Sequence, residues 1–325
     1  MSHRMVRMSA GMAALVLVLA GCSSDPDSAA EPDGGATGAS VVATTTIWGD
    51  ITRQIVECAG VGEVTTLIPV GSDPHDFSPS SQDVAALVGA DLVVANGLGL
   101  EEGLAKSLES AQEDGARVLE IAPLLDPLPF DDGAEEHAEE EAEEGAEEHS
   151  GGDPHVWHDV ARAARAAGLI GGELTKATGN PDFAECGTRL QGELMTVHDE
   201  VAATLATVPA EQRVLVTDHD ALGYLAAAYG YTVAGTVVPG GSTLAEPSSA
   251  ELAALAATVR QTGVPAVFAN TANPQVLVAA LASEIGDIAV VDLYVDSVGA
   301  PGSGADTYQG MVTTNAQRIS AALAG

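Results

Sequence analysis

Short β-branched runs alternate with helical stretches twice along this chain, and that alternation most constrains its fold. In the first half, VVATTT (41–46), EVTTLIP (63–69), DLVVAN (91–96) and RVLEI (117–121) read as strands. Helices are expected between them, through about Cys58, over 80–90 and from Glu101 to about Gln112. In the second half, RVLVTD (213–218), YTVAGTVV (231–238), AVFAN (266–270) and IAVVDLY (288–294) alternate with helices over 221–230, 247–261, 274–286 and 307–322. Such alternation indicates parallel sheets with helices on both faces. Residues 159–207 read as helical, with a break at Gly179-Asn180-Pro181, and the stretch from Asp182 to about Val208 is long enough to bridge two domains as one helix. The expected fold class is α/β: two lobes, each a mostly parallel sheet flanked by helices, joined by one long backbone helix. Expected boundaries are 41–158 for the N-terminal lobe, 159–207 for the helical segment and 208–325 for the C-terminal lobe. A rigid bridge predicts limited hinge closure. Ligands of two-domain α/β proteins bind in the cleft, near the carboxyl ends of the strands.

Charge removes several functions. The chain carries 12 Lys+Arg against 47 Asp+Glu, a formal net charge of -35. Nucleic-acid binding needs a basic face to replace phosphate counterions, and docking on anionic lipid needs the same. The chain is still 46% hydrophobic but only 3% aromatic, so its core is expected to be built from Ala, Val and Leu. Eleven of the carboxylates fall within 131–152, an acidic low-complexity loop with two histidines, His137 and His149. Self-repulsion should keep this loop open, either as a solvated linker or as an antenna that concentrates cations near the cleft.

The first 22 residues read as an address. Arg4 and Arg7 precede a short apolar run, Met12 to Leu19, which ends in Leu19-Ala20-Gly21-Cys22. This resembles a bacterial lipoprotein signal, which implies a signal peptide over 1–21, lipidation at Cys22 and a membrane anchor. Residues 22–40, rich in Ser, Asp, Pro, Gly and Ala, read as a flexible tether. The expected location is the outer face of the bacterial cell membrane. There the remaining cysteines, Cys58 and Cys186, meet oxidising conditions, which favour a bridge between them. Two separately buried thiols are the alternative, because sequence does not show their Cα separation.

Three histidines stand at strand exits or loop entries in distinctive contexts. His75 lies in GSDPHDFSPSSQD, His155 in GGDPHVWHDV and His219 in VTDHDALGYLAAAYG. The Asp-Pro-His triplet occurs on both sides of the acidic loop, and the proline restricts the backbone that presents each ring. Asp296, in LYVDSVG, follows the last strand, where a carboxylate would face the same cleft. Three imidazoles and one carboxylate form an N3O set suited to Zn2+, whereas Mn2+ prefers more oxygen. A filled four-ligand set leaves no position for an activated water, which favours carrying the metal over hydrolysis.

Together the segments DPHDFSPSSQD, DPHVWHDV, HDALGYLAAAYG, AEPSSAELAAL and DSVGAPGSGADTYQGM resemble the motifs of zinc/manganese substrate-binding lipoproteins of ABC transporters, over about residues 41–323. The resemblance implies that His75, His155, His219 and Asp296 are metal ligands. It also implies that the acidic loop lies near the cleft, and that the imidazole at 219 favours zinc. The implied partners are a membrane permease with a separate ATPase subunit, since this chain has no GxxxxGK[ST] segment. A zinc metallochaperone donor and a monomeric state are further expectations. Two positions depart from the pattern. His158 replaces an apolar residue and reads as a surface histidine at a helix start, with auxiliary ligation as its alternative. Asn270 stands where glutamate is common, in a place to support a neighbouring ligand. His198 reads as structural or surface-exposed, and Trp157 and Tyr224 as packing residues that wall the cleft. The leading expectation is a non-enzymatic protein that captures Zn2+ for uptake. The alternatives are a manganese-binding member of the same family, a surface zinc hydrolase, which lacks an HExxH segment here, and an adhesin.

Overall fold

Among the described residues, eight parallel strands, four to a sheet, carry the architecture. A computed structural model describes residues 38–129, 152–273, 276–286 and 288–324. The leader, Cys22, most of the tether and the acidic loop with His137 and His149 lie outside the described residues. The first sheet contains β1 (Ala39–Ala43), β2 (Gly62–Thr66), β3 (Leu92–Ala95) and β4 (Val118–Glu120), in the order β2-β1-β3-β4. Its helices are α1 (Thr46–Ala59), α2 (Ser81–Gly89) and α3 (Ala105–Glu113). Two antiparallel helices follow, α4 (Val160–Thr178) and α5 (Asp182–Leu205). The second sheet contains β5 (Val214–Thr217), β6 (Thr232–Thr236), β7 (Ala266–Asn270) and β8 (Ala289–Leu293), in the order β6-β5-β7-β8. It is flanked by α6 (Gly223–Tyr229), α7 (Ser249–Thr262), α8 (Val276–Ile285) and α9 (Tyr308–Leu323).

Local chemistry accounts for these elements. Every residue of β3 and of β7 is buried, as continuous apolar strands covered on both faces must be. Helix α1 starts where the Thr45 hydroxyl accepts the Trp48 amide N–H, and α2 and α7 start on capping boxes, Ser80 with Asp83 and Ser248 with Glu251. The expected break between α4 and α5 is present: Gly179 closes α4 at φ 77°, and the Asn180 side chain accepts the Asp182 amide that opens α5. Strand β1 claims Ala39 and Ser40, which compositionally read as tether, because both pair with β2. The 101–112 helix is also shorter than expected, with a 3-10 turn over Glu102–Leu104 before α3.

The 24 residues of α5 span about 36 Å, enough to run along both lobes. Helices α4 and α5 cross closely at two glycines. A Cβ on Gly171 would sit 2.5 Å from the Phe183 carbonyl oxygen and 3.0 Å from Gly187 Cα, so neither helix tolerates a side chain there. Cys58, near the end of α1, is bonded to Cys186 of α5, with Cα atoms 5.9 Å apart. One hydrophobic cluster runs through both lobes and this helical spine and includes Trp48, Trp157, Phe183, Tyr224, Phe268 and Tyr308. Two smaller clusters fill the outer faces of the two sheets, around Val93 and Leu87 and around Val267 and Leu255. Hydrogen bonds add to the shared core. The Tyr308 amide donates to Asp50 Oδ2 at 2.8 Å, and the Val298 amide donates to Thr46 Oγ1 at 3.1 Å. A core common to both lobes resists wide hinge motion, because opening it would expose apolar surface.

Candidate metal centre

The strands of each sheet run parallel and deliver their following loops to one edge of that sheet, and loops from both sheets meet. His75 comes from the loop after β2, His219 from the exit of β5 and Asp296 from the exit of β8. His155 begins the 3-10 turn Val156–His158 that leads into α4. All four side chains are buried, and one ligand atom from each lies within 4.8 Å of all the others. His75 Nε2 and His155 Nε2 are 3.4 Å apart, His155 Nε2 and Asp296 Oδ1 3.9 Å, and His219 Nε2 and Asp296 Oδ2 3.6 Å. For zinc–nitrogen and zinc–oxygen bonds near 2.0–2.1 Å, the edge of a ligand tetrahedron is about 3.4 Å. These three spacings lie near that edge length, and the whole set stays within 4.8 Å. The four residues singled out from the sequence come together.

Carboxylates outside this set flank all three histidines. Asp153 Oδ1 accepts from both the His155 amide, at 2.9 Å, and His155 Nδ1, at 2.8 Å. With Asp153 ionised, that bond places the proton on Nδ1 and leaves the Nε2 lone pair facing the cluster. Asp218 Oδ1 lies 3.2 Å from His219 Nδ1, and Asp73 Oδ1 accepts the His75 amide at 2.9 Å. Each histidine thus has an aspartate one or two positions before it. The repeated Asp-Pro-His triplet was the available signal for two of these aspartates, and sequence reasoning passed over them in favour of the histidines. A buried network supports the His155 turn from below. Asn96 Nδ2 donates to the Pro154 carbonyl at 3.0 Å and Asn96 Oδ1 accepts Trp48 Nε1 at 2.9 Å, while buried Glu101 accepts the Asn96 amide and the Thr44 hydroxyl.

The electrostatics are those of a dry, charged cluster. Burial pulls the His219 imidazole down, but Asp296 and Asp218 outweigh it and hold the group up at about 9. Burial pushes Asp296 up to about 7 against the opposing pull of His219. Burial likewise raises Asp153 to about 7, and it drives His155 well below the usual imidazole range, with the His219 charge adding to the effect. A cavity of about 390 Å³ opens beside His219, and Asp73, Asp76, Asp218 and Glu246 on its lining make the approach anionic.

His158 corrects the sequence reading. It is only 3% exposed rather than on the surface, because the one-turn helix Val156–His158 faces its ring inward beside Trp157, with centroids 5.5 Å apart. It is not among the four clustered ligands, and burial lowers its pKa well below the usual value. His198 fills a structural position, with Nδ1 3.2 Å from the Tyr229 hydroxyl. Trp157 packs edge-on to His155 and donates from Nε1 to the Val295 carbonyl at 2.9 Å. Tyr224 does more than wall the cleft. Its hydroxyl donates to the Asp153 carbonyl at 2.6 Å and accepts the Leu128 amide at 2.9 Å, clipping together the two stems of the acidic loop.

Residues 41–322 match the profile of the family described as zinc-uptake complex component A, periplasmic. The chain belongs to this family. Family members are metal-binding, substrate-binding components of ABC transporters of the zinc/manganese type. Among relatives, the manganese-binding lipoprotein MntA of Halalkalibacterium halodurans is 29% identical over 310 residues, 93% of each chain. The zinc-binding protein TroA of Treponema pallidum is 31% identical over 291 residues, 87% of this chain and 88% of the relative. A solved structure of the periplasmic zinc-binding protein TroA superposes with a TM-score of 0.76 over 89% of this chain and 100% of that one. The fold of two parallel-sheet lobes joined through the α4–α5 spine is therefore a family architecture.

Proposed function

We propose that the protein captures Zn2+ outside the cytoplasm and delivers it to an ABC permease driven by a separate ATPase. His75, His155, His219 and Asp296 hold the ion, which is cargo rather than a resident cofactor. The observation that carries this reading is the buried N3O cluster, whose ligand atoms lie within 4.8 Å of one another. Buried Asp296 Oδ1 accepts no hydrogen bond among the described residues, and an uncompensated buried carboxylate oxygen is costly unless a cation meets it. Three nitrogens favour zinc. Manganese is the second reading, supported by a relative named for manganese that matches 93% of this chain.

Competitive titration of the metal-free protein with zinc and manganese against a chelator tests the proposal. One tight zinc site, weakened in His75→Ala, is the expected result. Tighter manganese than zinc binding supports the second reading, and unchanged affinity in His75→Ala overturns the ligand assignment. The orienting role of Asp153 gives a separate prediction. Asp153→Ala is expected to weaken zinc binding by about 10–100-fold, the usual cost of losing a partner to a metal-bound histidine. An unchanged dissociation constant would show that His155 keeps its orientation without it.

A further inference from the structure

We infer that Asn270 restricts Asp296 to a single-oxygen contact with the ion and thereby biases the site toward zinc over manganese. This inference rests on the ligand assignment proposed above. Asn270 ends β7 and is 1% exposed, so its amide must find partners inside the protein. Its Oδ1 accepts the Ala272 amide at 3.0 Å, which fixes the orientation of the side chain. The NH2 group is left facing Asp296, and Nδ2 donates to Oδ2 at 2.5 Å.

The two oxygens of Asp296 are therefore unlike. Oδ2 carries the amide donor, and its contact with His219 Nε2, at 3.6 Å, is longer than a hydrogen bond. Oδ1 accepts no hydrogen bond among the described residues and lies 3.9 Å from His155 Nε2. An arriving cation meets one open oxygen and one already engaged. Bidentate chelation would also need Oδ2, whose lone pairs the Asn270 amide already uses, so the ion and that hydrogen bond compete for it. A single carboxylate oxygen completes the four ligands of zinc. Manganese, which favours oxygen-rich and higher coordination, loses the second oxygen it would otherwise recruit. The backbone also holds this residue in place, because the Asn270 amide N–H donates to Asp218 Oδ2 at 3.2 Å, beside His219.

The test uses Asn270→Ala and Asn270→Leu. The leucine variant keeps the side-chain volume without adding a donor or an oxygen ligand, and covers the case in which the alanine variant folds poorly. Zinc and manganese affinities are measured by chelator competition, and X-ray absorption on zinc-loaded protein reads the coordination shell. The zinc-to-manganese affinity ratio is expected to fall about tenfold, the lower end of the usual effect of an outer partner. The zinc shell of the variants is expected to gain an oxygen. A folded variant whose ratio stays within about twofold of wild type, with an unchanged zinc shell, overturns the inference and leaves the ligand assignment standing. Wild-type protein that binds neither metal, or binding that survives His75→Ala, overturns the assignment itself and the inference with it.

Discussion

Replacing His219 with alanine is expected to lower zinc affinity by at least about a hundredfold, beyond the range seen for outer-shell partners. It should also take the His219 proton out of the binding equilibrium between about pH 7 and 9. His219 is the strongest base of the cluster, held at about 9 because Asp296 and Asp218 outweigh the effect of burial. The metal-free protein therefore carries a proton there at neutral pH, and an incoming ion must displace it. One proton released per ion makes apparent affinity rise about tenfold per pH unit up to that pKa. Below about pH 7, Asp296 binds a second proton and the dependence steepens, so acidification favours release. Stability of the metal-free fold runs the opposite way with pH. A histidine whose folded pKa is raised stabilises the metal-free fold fully below its ordinary 6.5 and loses that contribution as pH rises through about 9. Metal-free protein should thus weaken across this window. Calorimetric titration in buffers of different ionisation enthalpy counts the released protons. Zero proton release by wild type at pH 8 would place the proton elsewhere.

Breaking the Cys58–Cys186 bond is expected to lower unfolding free energy by about 4–5 kcal/mol, because it closes a loop of more than about 100 residues. The two cysteines are 128 positions apart, and their Cα separation of 5.9 Å lies in the ordinary range for a disulfide. The bond ties α1 to the spine helix α5, so the reduced chain regains the freedom of the intervening first lobe on unfolding. Zinc affinity should stay within about twofold of wild type, because Cys58 lies twelve residues beyond Thr46 on α1, about 18 Å from the end that meets the Asp296 loop. Urea unfolding of wild type, of reduced protein and of Cys58→Ala/Cys186→Ala measures the first quantity, and chelator competition measures the second. A loss below about 1 kcal/mol would mean that the packed α1–α5 contact already constrains the unfolded chain.

The strand and helix pattern was legible because parallel α/β sheets leave a local signature. The buried runs LVVA and AVFAN are continuous, and polar caps such as Ser80 and Ser248 mark where helices begin. The position of the histidines was legible too, since residues at strand exits reach one edge of a parallel sheet. His158 was not legible. Which side of a single helical turn faces inward depends on the distant residues packed against it, such as Trp48 against Trp157, not on the turn's own pattern.

The sequence by itself determined two α/β lobes on a helical spine, the chemical identity of four clustered side chains and an acidic surround. These follow from periodicity, composition and motif, which act over short stretches of chain. Only the tertiary structure decided that residues 75, 155, 219 and 296 converge within 4.8 Å, and that Asp153 and Asp218 hold two of the rings. It also decided that Asn270 reaches one oxygen of Asp296 and leaves the other open. The reason is physical. Contacts across the cleft join parts of the chain brought together by a core shared between the lobes, and no local pattern records the ångström at which they meet.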